Sequence, residues 1–189
     1  TPDFSFTMID SINSILNKSI FKLVDDSGII QEYLGTADAT TMKINYGTIN
    51  DNLQSTYSML PDKTANFTSE DYLSGDVEIP LVNDFINKQE IKSVAYNDRI
   101  SNIIRKLTND YKVKSIIIND TGNQDFWYQP LIDNIDFIKT MLPYSYSKDG
   151  NKSPFYCFID SDNTFNLRSY YKMFNSVPVA DLFYESEKV

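Results

Sequence analysis

The chain has 189 residues, with 26 Asp plus Glu against 17 Lys plus Arg, no His and one Cys. A net charge of −9 disfavours a protein that coats nucleic acid, because phosphate contacts need clustered Lys and Arg. The lack of His removes the commonest general base and metal ligand, and one Cys excludes an internal disulfide and a multi-cysteine zinc site. No apolar run approaches the ~18 residues that span a membrane.

The first segments predict strands, with one ambiguity. Apolar residues between positions 8 and 20 follow a helical spacing, although the same segment also fits an edge strand. Residues 21–24 and 29–34 flank a polar turn, which predicts a hairpin.

The middle of the chain predicts two strands and a long connection between them. Residues 41–46 alternate with the period of a strand. Residues 47–75 contain few large aliphatic residues, which favours a polar loop or surface arm. Strand character resumes over residues 76–82, where Pro80 indicates an edge or a bend.

The clearest predicted helix follows Asn97-Asp98, a good N-cap pair. One apolar stripe follows at helical spacing, formed by Ile100, Ile103, Ile104, Leu107 and Tyr111. Residues 113–118 then predict a short buried strand.

A second helix is predicted within residues 124–146, capped by Asp133 or Asn134 and closed by Pro143. Ile135, Ile138 and Leu142 line one face of this helix, with Phe137 and Met141 beside them. A hairpin follows, with strands over residues 154–159 and 165–170.

These elements predict an α+β fold in three parts. Residues 1–90 form a β-rich, barrel-like portion, and residues 91–172 form a two-helix α/β unit that ends in a β-hairpin. Residues 173–189 form a C-terminal return segment. Because the chain lacks a starting Met, we expect a processed product or a piece of a longer protein.

No catalytic set can be assembled from the sequence, so we predict no enzyme activity, cofactor or metal. Residues 160–164 resemble the opening of a calcium loop, but the sixth position is not Gly and the twelfth is Tyr171, so a polar hairpin turn is favoured. Cys157 lies on a predicted buried strand without a base, which favours a small core residue. The carboxylate neighbours Asp25-Asp26 and Glu70-Asp71 lie on turns rather than across a cleft.

The segment Phe126-Trp127-Tyr128 carries the single Trp of the chain. Aromatic clusters stack bases or sugars, but no basic groove surrounds this one, so core packing or an interface anchor is favoured. Six residues are candidates for the core or an interface: Trp127, Tyr128, Ile104, Phe137, Phe155 and Phe158.

The order of segments from residue 77 onward forms a pattern. After a first strand, its members are Ile91-Lys92-Ser93-Val94-Ala95-Tyr96, Asn97-Asp98, Phe126-Trp127-Tyr128-Gln129-Pro130, Ile135-Asp136-Phe137-Ile138-Lys139, Phe155-Tyr156-Cys157-Phe158 and Phe165-Asn166-Leu167-Arg168-Ser169-Tyr170. This order resembles the baseplate hub protein of contractile-tailed bacteriophages, and it is similar to late-control tail proteins and type VI secretion spike proteins. The resemblance covers about residues 77–170 and includes no invariant catalytic motif.

The resemblance implies a tube-type β-barrel that is interrupted by a unit in which a helix packs on a β-hairpin. It also implies a structural role in the virion tail, assembled in the host cytoplasm, where a homotrimer forms a pseudo-hexameric ring between the central spike and the tail tube. The implied partners are the spike, the tail tube and other baseplate proteins. We expect no membrane and no specific nucleic acid, although DNA passes through such a ring. An acidic chain suits this passage, because it repels phosphate.

Two other classes of function stay open. A small ligand-binding or adhesion module would use its aromatic residues on carbohydrate or peptide, and it predicts an exposed aromatic cleft on a monomer. A glycosidase or lysozyme that works without His predicts paired carboxylates across a cleft.

Overall fold

The structure is a computed structural model that describes residues 4–24, 42–46, 55–61, 76–83, 90–109, 111, 113–122, 124–149, 152–160 and 162–177. These residues form a mixed α+β fold, which confirms the predicted class. The strands are β1 (Phe4–Ile9), β2 (Lys18–Val24), β3 (Met42–Tyr46), β4 (Ser55–Pro61), β5 (Asp76–Asn83), β6 (Lys92–Arg99), β7 (Ser115–Ile118), β8 (Gln124–Ile132), β9 (Phe155–Ile159) and β10 (Thr164–Ser169). The helices are α1 (Ile100–Thr108), α2 (Asn134–Met141) with a 3₁₀ turn at Leu142–Tyr144, and α3 (Tyr170–Phe174).

The first five strands form one antiparallel sheet in the order β1-β2-β5-β4-β3. Ile79 and Leu81 of β5 are fully buried in it. In the described ranges β1 and β3 are the outer strands and do not pair with each other. The sheet is therefore open there, and its described strands do not close into the predicted barrel.

The helical interpretation of residues 8–20 is wrong, and the edge-strand alternative is confirmed for the part that belongs to β1. β1 pairs on one side with β2, from Phe4 opposite Leu23 to Ile9 opposite Lys18. Its half-buried residues, Phe6 and Met8, alternate with exposed ones, as expected for an outer strand. Pairing along the whole strand outweighs a helical spacing of only a few turns.

The predicted hairpin of residues 21–24 with residues 29–34 is also wrong. Both edges of β2 are occupied, one by β1 and the other by β5, from Lys18 opposite Val82 to Val24 opposite Asp76. Residues 29–34 themselves lie outside the described residues.

The prediction of one polar connection over residues 47–75 is wrong as well, because β4 lies within it and pairs with the correctly predicted β3. β5 is an inner strand, but its pairing with β4 ends at Leu81 opposite Pro61. Pro80 therefore lies where β5 has no described neighbour on the β4 side, which is a position that a residue without an N–H tolerates.

The α/β unit contains two further sheets. β6 and β8 form an antiparallel pair, which the sequence did not identify as strands. β7, β10 and β9 form a second sheet in which β10 is central, parallel to β7 and antiparallel to β9. The predicted hairpin of the last two strands is thus confirmed.

One hydrophobic core joins helices α1 and α2 to this second sheet. The predicted stripe on α1 is buried in it, which confirms the face assignment. The fully or nearly buried members are Ile15, Ile100, Ile103, Ile104, Leu107, Tyr111, Ile135, Phe137, Ile138, Met141, Phe155, Cys157, Ile159, Phe165 and Leu167. Ile15 belongs to the β1–β2 connection, and its carbonyl accepts a hydrogen bond from the Ile159 N–H at 3.0 Å. The connection is thereby attached to the α/β unit.

Helix α1 begins after the predicted cap residues Asn97-Asp98, and it ends before Tyr111, the last residue of the predicted apolar stripe. Asn97-Asp98 is not the N-cap pair, because residues 97–99 are held extended opposite residues 124–126 of β8. The N-cap is Arg99, without a side-chain cap. Tyr111 lies beyond the helix but is still buried, with its ring centroid 6.5 Å from that of Phe165.

Asp98 instead organises the first turns of α1 through its carboxylate. The carboxylate accepts from the Arg99 N–H at 2.8 Å, from Asn102 Nδ2 at 2.7 Å and from Lys106 Nζ at 2.8 Å. Hydrogen bonds from Lys106, then Asn102, then Arg99 lower the pKa of Asp98 from 3.8 to about 2. The charged form is therefore favoured by the folded state.

We expect Asp98→Asn to flatten the pH dependence of stability in acid. Between pH 3.8 and about 2 the unfolded chain binds more protons at this site than the folded chain does, so stability falls as the pH falls through this window. Asn keeps an acceptor oxygen but cannot titrate. Denaturant unfolding from pH 5 to pH 2 measures this slope, and equal slopes in the variant and the unmodified chain would contradict the assignment.

β7 is not the buried strand that was predicted. It is an outer strand, and Ile117 is 41% exposed. A continuous aliphatic run indicates burial on both faces only when the strand has neighbours on both sides. Within the described part of the chain β7 has one neighbour, β10.

The ends of α2 and the turn of the hairpin follow the predictions. Asp133 caps α2 by accepting from the Asp136 N–H at 2.8 Å, and Pro143 lies in the 3₁₀ turn that ends the helix. The Asp160 carboxylate accepts from the N–H groups of Asp162 and Thr164, both at 3.0 Å, as in a polar turn.

Across the described residues no group of three or more His, Cys, Asp or Glu could hold a metal ion. None of the described helices is long and apolar enough to cross a membrane.

Cys157 is buried in the core, as predicted, and burial raises the pKa of its thiol. The thiolate that nucleophilic chemistry requires is therefore disfavoured at this position.

Candidate aromatic cleft

The six candidate residues are divided between the interior and the surface. Ile104, Phe137 and Phe155 are buried in the core, so they act in packing. Phe158 and Trp127 are half-buried, and Tyr128 is 61% exposed. Of these three, Trp127 and Tyr128 line a cleft along β8 that could serve as a binding site.

The inner face of β8 is anchored to α2 and β6. Gln129 is fully buried, and its Nε2 donates to the Ile132 carbonyl at 2.8 Å and to Asn134 Oδ1 at 3.2 Å. Its Oε1 accepts from the Tyr96 hydroxyl at 3.3 Å. The Tyr96 ring in turn stacks on Phe137, with centroids 5.6 Å apart. These contacts attach the strand to the core.

The opposite face of β8 presents large apolar side chains to solvent. Strand alternation places Phe126, Tyr128 and Pro130 on this face, and Phe126 is 79% exposed. The Ser93 and Tyr128 hydroxyls lie 2.7 Å apart, which fixes the orientation of the Tyr128 ring across the strand pair.

A cleft of about 540 Å³ runs along β8 beside α2. It is lined by Ile100, Thr121, Gly122, Asp125, Phe126, Trp127, Tyr128, Pro130, Ile132, Phe137, Thr140, Tyr144 and Tyr146. Among the described residues of this lining, Asp125 is the one that carries a charge. The cleft is therefore an aromatic surface with a carboxylate at one end.

Gly122 lies close to the Tyr146 ring in the lining of the cleft. Its N–H donates to the Tyr146 carbonyl at 2.8 Å, and a Cβ at this position would overlap the Tyr146 ring. A side chain at residue 122 would displace this ring, so glycine sets the shape of the wall.

Trp127 lies at the base of the cleft. Its ring centroid is 5.6 Å from that of Tyr144 at an interplanar angle of 60°, an edge-to-face arrangement. The indole Nε1 is buried and makes no hydrogen bond to any described residue.

Because Trp127 is half-buried, we expect Trp127→Ala to lower the free energy of unfolding by about 2 kcal/mol, less than the ~3–5 kcal/mol of a fully buried aromatic residue. Urea unfolding followed by circular dichroism checks this, since the fluorescence of the single Trp is lost. A stability equal to that of the unmodified chain would contradict a packing role for Trp127.

A second, smaller cleft of about 250 Å³ lies between the β1–β2 connection and β9. Lys139 is the one charged residue in the part of its lining that the structure describes, and it pairs with Asp136 at 2.7 Å. Neither described cleft contains the pair of carboxylates that the glycosidase alternative predicts. Asp25-Asp26 and Glu70-Asp71 lie outside the described residues.

A second aromatic surface, which was not predicted from the sequence, lies at α3. The Tyr170 ring packs against Tyr156 and stacks on Phe174, with centroids 6.4 Å and 6.1 Å apart. Phe174 is 75% exposed. The signal was present as Tyr170-Tyr171 and Phe174 at helical spacing. The predicted return segment begins with the last residues of this helix, and residues 178–189 lie outside the described residues.

No protein-family description and no curated protein matches this chain.

Proposed function

We propose that the chain is a non-catalytic assembly protein of the hub of a contractile phage tail. The observation that carries the proposal is the exposure of aromatic side chains on an α/β unit with a buried core, at β8 and again at α3. Monomeric proteins bury most such side chains, and clusters of exposed aromatic residues are typical of protein interfaces.

The arrangement within residues 91–172 supports the resemblance on which the proposal also depends. Helix α1 and the β9–β10 hairpin share one core, as a helix packed on a hairpin would. The segments that resemble the hub family occur as β6, α1, β8, α2 and the hairpin, in that order.

We assign the open five-stranded sheet to the tube-type barrel of the hub. Its outer strands β1 and β3 would complete a barrel by pairing with further strands. In this proposal three copies form the ring between the spike and the tail tube in the virion tail, after assembly in the host cytoplasm. The net charge of −9 suits a ring through which DNA slides without specific binding.

Immunogold electron microscopy with an antibody against the chain tests the location. Tails from the organism that encodes the chain are expected to carry the label at the end of the tube, where the spike joins. Light scattering on the same protein is expected to give the mass of three chains, alone or with the spike added. Unlabelled tails, or a monomer under both conditions, would refute the proposal.

A non-catalytic ligand-binding module is the second candidate, and the cleft beside β8 favours it. Exposed Phe126, Tyr128 and Tyr144 offer ring faces on which sugars stack. A glycan array tests this candidate. A glycan that binds the monomer and is lost in Tyr128→Ala would support it, and an array without binding would refute its carbohydrate form.

A further inference from the structure

We propose that the edge of β8 that pairs with no described residue, together with the adjoining cleft, binds an extended, basic segment of a partner protein, which adds to β6–β8 as a third strand. The inference deepens the proposed assembly function, and it rests on that function in requiring a protein partner. It concerns one surface, the β8 edge, defined here as residues 124–130.

The backbone of the β8 edge can accept another strand. β8 pairs with β6 on one side, and no described residue pairs with it on the other. A two-stranded sheet leaves one row of N–H and C=O groups on each strand for water or another chain. In β8 the Phe126 N–H already donates to the Asp125 carboxylate, so an added strand would pair with the other groups of the row. An extended segment satisfies such a row, whereas a helix or a sugar does not.

The length of the segment follows from where β8 loses its regular form. Pro130 has no N–H to donate, and Leu131 has a φ of 51°, which is outside the strand region. The regular edge therefore runs from Gln124 to Gln129. It can pair with a segment of about six residues.

The cleft supplies the side-chain contacts. Alternate residues of an added strand would face the exposed rings of Phe126 and Tyr128 on the outer face of β8. Apolar residues at every second position of the segment fit this surface. The buried contacts of Gln129 with Tyr96 and with the Ile132 carbonyl hold β8 in place before binding. The entropic cost of ordering β8 on binding is therefore small.

The charge of the cleft selects a basic segment. Asp125 is the one charged residue among the described ones that line it, and its Oδ1 accepts from the Phe126 N–H at 2.8 Å. The Asp125 carboxylate forms no ion pair with any described residue. With a net charge of −9, a second copy of this chain is disfavoured as the occupant, and Lys or Arg opposite Asp125 is favoured.

The test uses the full chain and a fluorescein-labelled peptide of alternating Lys and Val or Phe, eight residues long. A first control peptide has every second backbone amide N-methylated, and a second has Glu in place of Lys. We expect fluorescence anisotropy to show binding of the first peptide only. Hydrogen exchange at the amides of residues 124–129 is expected to slow when that peptide is present.

Matched variants distinguish specific binding at the β8 edge from non-specific binding to exposed aromatic residues. Phe126→Ala and Asp125→Asn are each expected to weaken binding about tenfold, and Asn keeps the acceptor for the Phe126 N–H. Phe174→Ala, which removes a ring of similar exposure at α3, is expected to leave the affinity unchanged. Equal binding of the N-methylated peptide, or equal losses at Phe126 and Phe174, would overturn the inference.

The outcome is independent of the test of the hub. A chain that binds the peptide at β8 but labels no tail keeps the strand-addition site and removes the hub assignment. A chain that labels tails but binds no peptide keeps the hub and removes the site.

Discussion

Replacement of Ile104 by Asp is expected to unfold the α/β unit. Ile104 is fully buried on α1, in the core that also contains Phe165 and Leu167. An unpaired carboxylate in such a site costs several kcal/mol, comparable with the ~5–15 kcal/mol by which whole domains are stable. Far-UV circular dichroism and thermal unfolding measure the loss of cooperative folding.

The same substitution at Ile117 is the matched control, because this residue is 41% exposed on the outer strand β7. Ile117→Asp is expected to remain folded, with a Tm only slightly lowered. An Ile104→Asp chain that unfolds cooperatively near the Tm of the unmodified protein would show that the stripe of α1 does not face the core.

Phe137→Ala is expected to give the largest loss among the neutral substitutions, about 3–5 kcal/mol of the free energy of unfolding. The Phe137 ring is fully buried and stacks on Tyr96 at an interplanar angle of 25°. Its removal leaves a cavity between α2 and β6 and takes away an aromatic pair. Denaturant unfolding at constant pH measures the change.

Phe126→Ala removes an identical side chain that is 79% exposed, so its effect on stability is expected to stay within about 0.5 kcal/mol. The two variants together separate packing from surface roles. Similar losses in both would mean that Phe126 is covered in the folded protein, which would also remove the cleft as a binding surface.

The aromatic cleft shows why the site was only partly predictable. The sequence directed attention to Phe126-Trp127-Tyr128, and two of these residues line the exposed wall. It did not identify Gln129 as a buried anchor, because a Gln satisfied by three partners has no signature in composition. The alternation of exposed and inner residues along β8 was a usable signal, but only once the segment was taken as a strand.

The contributions of Tyr144 and Tyr146 could not be predicted from local pattern. They reach the cleft because the 3₁₀ turn after α2 brings them back toward β8 and toward Gly122. Such proximity depends on how three elements pack, and no spacing in the sequence encodes it.

Interactions between residues close together in the sequence made several features predictable from the sequence by itself. The apolar stripe of α1, the Asp133 cap of α2, the burial of Cys157 and the β9–β10 hairpin all depend on residues a few positions apart. Capping and periodicity act over one or two turns, and a hairpin needs only a short loop. Composition likewise determined the acidic character of the chain.

Tertiary structure alone decided which strands are neighbours and which faces are covered. β2 pairs with β1 and β5 rather than with residues 29–34. β7 is an exposed outer strand that pairs with β10, which is far from it in the sequence. The start of α1 moved to Ile100 because β8 holds residues 97–99 extended. These outcomes depend on contacts between residues far apart in the sequence, whose energies outweigh local preference only when the whole sheet is assembled.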